Sequence, residues 1–256
     1  MPGTTCGAVF FEKMNKISVL QNFKAVERDP YPHILISRAL PENIHDELLA
    51  TLPDELIDSQ ETRDHHGKRT YHVSQVKKDG WKISNIWREF TQYHTSREFF
   101  DRVMDIFSPW HDILPIKKDK IILEDRSKDI LPPGANCFTD FNFVKHPPEN
   151  NVSNRTPHCD NEKEVYAGLL YLKHKEDHSK GGGFNIHKAD NLEMQGLREL
   201  VHPGPIVKTC PYQSNNFVMF FNVKRSVHSV EPRQDAHHPR ISINMIARYH
   251  GARLWK

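Results

Sequence analysis

The spacing of hydrophobic residues along the chain changes period near Pro115. Before that point apolar side chains recur every three to four positions, which is typical of helices with one buried face. Three helices are predicted there: one over residues 40–50, one around residues 83–90, and one that begins at a capping box formed by Thr95 and Glu98. The N-terminal part of the chain is therefore predicted to be mainly helical.

Two other segments of the N-terminal part have different patterns. Pro30 and Pro32 precede a short apolar run that ends at Ile36, which predicts a strand. Residues 58–80 are polar and contain Arg63 and Arg69, so a long loop or irregular hairpin is predicted there. A solvated loop is the simplest interpretation. The alternative is a flap that selects the substrate, because binding residues often lie on loops.

After Pro115 the chain consists of short alternating or apolar runs separated by turn residues. This pattern predicts an all-β sandwich or barrel, interrupted by a short helix over residues 191–200. The expected fold class is α+β, with an N-terminal helical or irregular region (1–115) buttressing a C-terminal core (116–256) in one structural domain. The predicted strands cover residues 120–124, 135–144, 164–173, 182–187, 205–210, 216–222, 227–230 and 240–249.

Composition excludes several classes of protein. The 256 residues carry a net charge of +2 from mixed acids and bases, without the basic block of a nucleic-acid-binding protein. No apolar run is long enough to span a bilayer, and no secretory leader is recognisable, so we expect a soluble cytoplasmic protein that does not bind a membrane. The four cysteines are scattered, which argues against a disulfide framework or a cysteine zinc site.

The first candidate site residues are His158 and Asp160. Side chains two residues apart on an extended strand leave by the same face, so the imidazole and the carboxylate would enter one cavity. A second imidazole would complete a set of two histidines and one carboxylate, which suits non-haem Fe(II) and oxygen chemistry. His228 is the candidate for this second imidazole. Taken alone, His228 is better interpreted as a core histidine, and the His-x-Asp pair alone is a weak signal.

Arg240 lies far enough beyond His228 for a strand end, a turn and the start of a neighbouring strand, so both could face one interior. A guanidinium is the natural partner of a carboxylate inside a pocket, because it donates two parallel charge-assisted hydrogen bonds. Ser242 shares the face of Arg240 at the second position along the strand. Cys159 points away between the two candidate ligands and is interpreted as a small packing residue.

From about residue 135 to residue 249 the chain resembles the Fe(II)- and 2-oxoglutarate-dependent oxygenases, specifically their prolyl-4-hydroxylase-like branch. The resemblance implies a double-stranded β-helix, which is a cupin-like jelly roll. It also implies that His158, Asp160 and His228 bind Fe(II), that Arg240 binds the distal carboxylate of 2-oxoglutarate, and that O2 is the oxidant. The segments that carry it, besides residues 156–160, are Tyr166–Leu172, Gly181–Ile186, Asn216–Phe221, Ser226–Val230 and Pro239–Asn244.

The resemblance also narrows the reaction. Halogenating relatives replace the acid that this chain keeps at Asp160, so hydroxylation of a C–H bond with release of succinate and CO2 is expected. Nucleobase demethylases carry a second arginine where this chain has Ile246, which argues against nucleic-acid repair. Ser242 would add a hydrogen bond to the same carboxylate as Arg240. Residues 140–144 lack the tyrosine that many relatives place against the cosubstrate, and either Asn142 or Tyr171 could replace it.

The substrate is expected to be a small molecule, with a protein prolyl or other side chain as the alternative within the family. A non-catalytic cupin-like binding module is the alternative from a different class. Fold similarity does not choose between them, because function depends on the loops around a shared core. Polar groups that could meet an anionic substrate near the mouth of the site are Arg63, Arg69, His187 and Arg225.

Overall fold

A computed structural model of the chain describes most of the predicted elements. It covers residues 17–62, 66–113, 117–125, 133–153, 155–189, 194–195, 199–200, 202–251 and 253–254. The predicted contact residue Arg63 lies outside the described residues.

The described helices all precede the long strands, so the fold is α+β as predicted. The α-helices are α1 (Glu42–Ala50), α2 (Asp54–Asp58), α3 (Val73–Lys78), α4 (Asn85–His94) and α5 (Arg97–Ile106), followed by two short 3₁₀ helices. The strands are β1 (His33–Ile36), β2 (Arg69–His72), β3 (Leu123–Asp125), β4 (Cys137–His146), β5 (Glu164–Tyr171), β6 (Phe184–His187), β7 (Met194–Gln195), β8 (Glu199–Leu200), β9 (Ile206–Cys210), β10 (Phe217–Phe221), β11 (His228–Val230) and β12 (Arg240–Tyr249).

The long strands form a seven-stranded sheet in the order β1-β10-β5-β12-β4-β2, with β3 added parallel to β4. Its other pairings are antiparallel. A smaller sheet has the order β11-β6-β9, and β7 pairs with β8. Strands from the helical part of the chain, β1 and β2, lie at the two edges of the large sheet. The N-terminal region therefore supplies strands as well as helices.

Strict alternation along the strands gives the large sheet two different faces. On β12, Ile243 and Met245 belong to one hydrophobic core, whereas Arg240 and Ser242 line a polar cavity on the opposite face. On β4, Phe143 belongs to the same core as Ile243. One face of the sheet is thus apolar and can pack against the helices, and the opposite face carries the polar side chains of the cavity.

Aromatic side chains pack the helices against the apolar face of the large sheet. Trp87 of α4 contacts the Phe143 ring edge-on at 4.8 Å between ring centroids. Its indole N–H donates to the Leu48 carbonyl oxygen at 3.0 Å, which joins α4 to α1. Phe99, Phe100 and other aromatics predicted to be core are fully buried there. Edge-on aromatic pairs of this kind add stability beyond that of buried area alone.

A second core lies between the two sheets. It combines Tyr171 and Phe220 of the large sheet with Phe184 and Ile186 of the small sheet. Because residues of both sheets meet here, the small sheet covers the face of the large sheet that carries Arg240. Within the described residues, none of the helices is long and apolar enough to cross a bilayer.

Three predictions of local structure were wrong. Residues 58–80 are not one loop, because Arg69–His72 pairs with β4 as an edge strand and Val73–Lys78 is helical. The helix predicted over residues 191–200 is instead, where described, the short antiparallel pair β7 and β8. The N-cap of α5 is Ser96, whose hydroxyl accepts a hydrogen bond from the Phe99 backbone at 3.2 Å, and not Thr95.

The error at Thr95 has a local cause. Its hydroxyl donates to the Thr91 carbonyl oxygen at 2.9 Å and closes the end of α4. Threonine hydroxyls compete for both kinds of contact, so sequence spacing alone does not separate the last residue of one helix from the first of the next.

Candidate functional site

The structure brings three side chains distant in sequence to one point between the sheets. His158 Nε2 lies 3.6 Å from Asp160 Oδ1, and His228 Nε2 lies 3.7 Å from the same oxygen. One ligand atom from each of these residues lies within 4.8 Å of the other two. Two imidazoles and one carboxylate at these separations could hold a single metal ion from one side.

Backbone pairing fixes this convergence. His158 and His228 exchange both backbone N–H to carbonyl hydrogen bonds at 3.0 Å, so the His158 segment pairs with β11 at the edge of the small sheet. Asp160 follows two residues later and projects on the same side. Cys159 projects to the other side, where it packs with Ala189 and Val227 as predicted.

Hydrogen bonds also fix the tautomer of each histidine. His158 Nδ1 donates to the Thr156 carbonyl oxygen at 2.8 Å, and His228 Nδ1 donates to the Ser226 carbonyl oxygen at 2.9 Å. A carbonyl can only accept, so the hydrogen of each neutral imidazole lies on Nδ1 and the lone pair lies on Nε2. Both lone pairs are on the nitrogens that face Asp160, which is the arrangement a metal ligand needs.

The pKa shifts of His228 and Asp160 also favour a neutral imidazole and an ionised carboxylate. Burial lowers the pKa of His228 to about 3, with His158 adding to the effect, so this imidazole is neutral at pH 7. Burial raises the pKa of the Asp160 carboxyl, but the neighbouring His228 and His158 outweigh it and hold that pKa below its usual range. A neutral imidazole beside an ionised carboxylate is the state that binds a cation.

Aromatic rings hold the His228 imidazole in place. Phe184 of the small sheet stacks on it with 4.8 Å between ring centroids, and Phe220 of the large sheet contacts it at the same separation. The His158 ring lies 4.2 Å from it. The imidazole therefore keeps its orientation without a metal, and the site is preorganised.

A cavity of about 310 Å³ extends from the three converging residues to Arg240 and Ser242. Arg240 is buried, and its Nε donates to the Gly182 carbonyl oxygen at 2.8 Å while Nη2 donates to the Tyr171 hydroxyl at 3.3 Å. Its guanidinium also lies 5.0 Å from the centre of the Tyr171 ring. A buried cation at one end of the cavity and a possible metal site at the other would suit a small dianion between them.

The model of the 2OG-Fe(II) oxygenase superfamily matches residues 141–248, which include all three converging residues and Arg240. These residues, fewer than half of the chain, are similar to that superfamily. The family resemblance is thereby confirmed. The prediction that the cofactors are Fe(II), 2-oxoglutarate and O2 is also confirmed, because these are the ones the superfamily uses.

Solved structures show the same fold. A prolyl-4-hydroxylase from Pseudomonas putida has a TM-score of 0.52 at 12% identity, with 92% of this chain and 98% of that chain covered. A prolyl 4-hydroxylase from Phytophthora capsici has a TM-score of 0.50 at 12% identity, covering 93% and 65%. The epimerase SnoN, solved with Fe3+, alpha ketoglutarate and nogalamycin RO, has a TM-score of 0.50 at 12% identity, covering 85% and 78%. No curated protein matches the chain significantly.

Tyr171 and Asn142, the two candidates for the cosubstrate contact that many relatives make through a tyrosine, occupy different places in the structure. Tyr171 contacts Arg240, and burial raises the pKa of its hydroxyl well above the usual range, so it remains a neutral phenol. The Asn142 amide lies against His72 and Asp140 near the sheet edge, and Asn142 does not line the cavity. Tyr171 does not line the cavity either, but its contact with Arg240 places it closer than Asn142 to a ligand bound there.

Three of the residues predicted to meet a substrate at the mouth, all within the described residues, lie outside the cavity lining. Arg69 donates to the Gln60 carbonyl oxygen at 3.2 Å, and His187 contacts the Gly204 carbonyl oxygen and the Ser229 hydroxyl. Neither these two residues nor Arg225 lines the cavity. Arg69 instead joins β2 to the segment around Gln60, and His187 joins β6 to β11 through Ser229.

Three basic side chains line the cavity although the sequence did not assign them to the metal or cosubstrate site. They are Lys68, immediately before β2, His146, at the end of β4, and Arg155, three residues before His158. Alternation along β4 could have identified His146, since Val144 on the same face also lines the cavity. The pairing of β2 with β4, which places Lys68, has no comparable signal in the sequence.

Proposed function

We propose that this protein is an Fe(II)- and 2-oxoglutarate-dependent dioxygenase that hydroxylates a C–H bond of a small-molecule substrate and releases succinate and CO2. The observation that supports it is one cavity containing the facing His158, Asp160 and His228 at one end and the buried Arg240 at the other. The cavity therefore offers a place for a metal and a place for a dicarboxylate side by side.

In this proposal His158, Asp160 and His228 are the catalytic residues that hold Fe(II). The iron would supply the activation of O2 that C–H hydroxylation requires. Once Arg155, which donates to His158 Nε2, has moved away, the two Nε2 lone pairs and the ionised carboxylate would bind the metal from one side and would leave the other side to cosubstrate and substrate. The Phe184 and Phe220 rings packed around the His228 imidazole fix its orientation toward the metal position.

Arg240 and Ser242 are proposed to bind the distal carboxylate of 2-oxoglutarate. The Gly182 carbonyl and the Tyr171 hydroxyl accept two of the guanidinium hydrogens, which fixes the plane of the group and leaves other N–H donors for a ligand. The Ser242 hydroxyl, now donating to the Asn244 side-chain oxygen at 3.1 Å, lines the cavity beside it. A charge-assisted pair inside a buried cavity is stronger than one in water.

The size of the cavity favours a small substrate. About 310 Å³ is at the low end of ligand pockets, and 2-oxoglutarate would take part of it. A protein side chain entering from outside is the alternative, favoured by the shared fold with prolyl-4-hydroxylases. No nucleic acid or membrane is proposed as a partner. A cytoplasmic location stays a prediction.

We further propose that the two sheets form the double-stranded β-helix of this superfamily, with residues 1–115 buttressing residues 116–256. The facing sheets and their shared core around Tyr171 and Phe184 support this arrangement. The packing of α4 on the large sheet supports the buttress.

The decisive experiment adds Fe(II) and then 2-oxoglutarate to the metal-free protein under anaerobic conditions. A weak visible charge-transfer band is expected when both are present, and it should be absent in His228→Ala and in Asp160→Asn. A non-catalytic binding module would give no band. Admission of O2 with candidate small molecules should then release succinate and yield a product with one added oxygen atom, whereas a product without that oxygen would exclude hydroxylation.

A further inference from the structure

His146 occupies a special position in the large sheet. It is the last residue of β4, and in the register of the sheet it is the direct partner of Arg240 on β12. Side chains of directly opposite residues on antiparallel strands start only about 5 Å apart and project on the same face. His146 and Arg240 accordingly line the same end of the cavity.

The His146 side chain differs from the other buried histidines in its hydrogen bonding. Its Nδ1 is buried and has no hydrogen-bond partner among the described residues. The other buried histidines of the described chain each have a partner at Nδ1, either a backbone carbonyl oxygen or a carboxylate: His33, His45, His72, His94, His158, His187 and His228. His33 and His72 each leave a buried Nε2 without a hydrogen-bond partner, but both bond through Nδ1. Buried polar atoms are nearly always hydrogen-bonded, so the unpartnered His146 Nδ1 needs an explanation.

The environment of His146 favours an anion. Burial lowers its pKa to about 2, and the nearby cations of Arg240 and Lys68 add to the effect. The imidazole is therefore neutral, with one N–H group to donate and no charge of its own. A neutral donor beside two cationic side chains fits a carboxylate, which accepts hydrogen bonds and is attracted by the surrounding charge.

We propose that His146 donates a hydrogen bond to the 2-oxoglutarate carboxylate that Arg240 binds. This inference rests on the proposed function and adds a residue to its cosubstrate site. It also assigns to His146 the cosubstrate contact that many relatives make through a tyrosine, because neither Tyr171, which orients Arg240, nor Asn142 lines the cavity. A purely structural histidine at this position would be expected to have a protein partner for Nδ1.

The test measures the affinity of the anaerobic Fe(II)-loaded protein for 2-oxoglutarate, from the charge-transfer band or by calorimetry. His146→Phe keeps the ring volume without a donor and should weaken binding about tenfold, the loss of one hydrogen bond to a charged group. His146→Asn keeps an N–H donor near the Nδ1 position and should bind within about threefold of the unchanged protein. Fe(II) affinity should be unchanged in both variants.

His187→Gln is the matched control. His187 is also buried, but both ring nitrogens have protein partners and it does not line the cavity. Its replacement should leave the affinity for 2-oxoglutarate unchanged. A wild-type affinity in His146→Phe, or equal losses in His146→Phe and His146→Asn, would overturn the inference. Failure of the unchanged protein to bind 2-oxoglutarate would instead refute the proposed function.

A second measurement covers the case in which His146→Phe does not fold. In the Zn(II)-loaded unchanged protein, the ¹⁵N resonance of His146 Nδ1, assigned by its absence in His146→Asn, should shift when 2-oxoglutarate is added. An unshifted resonance at saturating 2-oxoglutarate would contradict the proposed hydrogen bond.

Discussion

Arg155 Nε donates a hydrogen bond to His158 Nε2 at 3.1 Å, so the guanidinium occupies the lone pair that faces Asp160. That nitrogen has one lone pair, and it cannot serve both Arg155 and a metal ion. The hydrogen bond and metal ligation by His158 therefore exclude each other. The cation must move before iron can bind in the proposed way.

Replacing Arg155 by Ala should therefore strengthen binding of a divalent metal. The variant loses a competing hydrogen bond and a positive charge next to the site, and we expect the dissociation constant for Mn(II) or anaerobic Fe(II) to fall about fivefold. Calorimetry on the metal-free protein measures it. Arg225→Ala, which removes an exposed arginine that does not line the cavity, serves as the control. Weaker metal binding in Arg155→Ala would show that the arginine supports the site.

Arg240 should be needed for cosubstrate binding but not for metal binding. Replacing it by Ala removes the buried cation, and we expect 2-oxoglutarate affinity to fall about a hundredfold while Fe(II) affinity stays constant. Arg240→Lys keeps the charge but cannot contact the Gly182 carbonyl, the Tyr171 hydroxyl and a carboxylate at once, so an intermediate loss is expected. Anaerobic titrations that follow the charge-transfer band give both affinities.

Normal 2-oxoglutarate binding by Arg240→Ala would refute the assignment of this residue. Because Arg240 is buried, each variant must first show a cooperative thermal transition. A variant that retains Fe(II) affinity contains a correctly paired His158 and His228, which controls for the fold at the site itself.

The strands and the faces that carry the site could be predicted from local pattern. The run over residues 240–249 is a strand with the predicted bounds, and its alternation puts Arg240 and Ser242 on one face as expected. The pair His158 and Asp160 needs only a period of two residues to share a face. These parts of the site depend only on the two-residue period of a strand, so they can be predicted from the spacing of residues in the sequence.

The rest of the site depends on pairing between distant strands. Lys68 enters the cavity because β2 pairs with β4, and nothing within the polar stretch 58–80 specifies that partner. Arg155 reaches His158 through a turn that no motif marks. His146 becomes a neighbour of Arg240 only through the register of β4 with β12. Register follows from the whole buried face of a sheet and not from one strand.

A buried ion pair behind the site should be important for stability. Arg233 Nη2 donates to Asp177 Oδ2 at 2.8 Å, and both side chains are only 1% exposed. The Arg233 side chain also packs against Gly182, whose carbonyl oxygen accepts from Arg240. Arg233→Met leaves the Asp177 carboxylate buried without its partner, and we expect a loss of about 3 to 5 kcal/mol in the free energy of unfolding.

A double-mutant cycle separates the charge from the packing. Asp177→Asn keeps an oxygen for the Ser179 backbone N–H, so the double variant with Arg233→Met has no unpaired charge and should be more stable than Arg233→Met alone. Urea unfolding of the four proteins measures the coupling. Additive losses would mean that the ion pair has no coupling energy. A weaker 2-oxoglutarate affinity in folded Arg233→Met would show that the pair also positions Arg240.

His94 should make the protein sensitive to acid. It lies at the end of α4, where Nδ1 donates to the Phe90 carbonyl oxygen and Nε2 accepts from the Val19 backbone N–H at 3.2 Å. Burial lowers its pKa to about 3. The unfolded chain binds a proton below about pH 6.5 and the folded protein does not, so stability should fall by about 1.4 kcal/mol per pH unit from this group between pH 6.5 and about 3.

His94→Gln isolates this effect, because the glutamine side-chain oxygen can still accept from the Val19 N–H but does not titrate in this range. Other buried histidines also titrate, so the comparison of interest is the difference in unfolding free energy between the two metal-free proteins, measured by urea unfolding at several pH values. The unchanged protein should be the more stable at pH 8, and its advantage should shrink steadily as the pH falls to 4. A difference that does not depend on pH would mean that His94 can be protonated in the folded state, contrary to its complete burial between α4 and the segment around Val19.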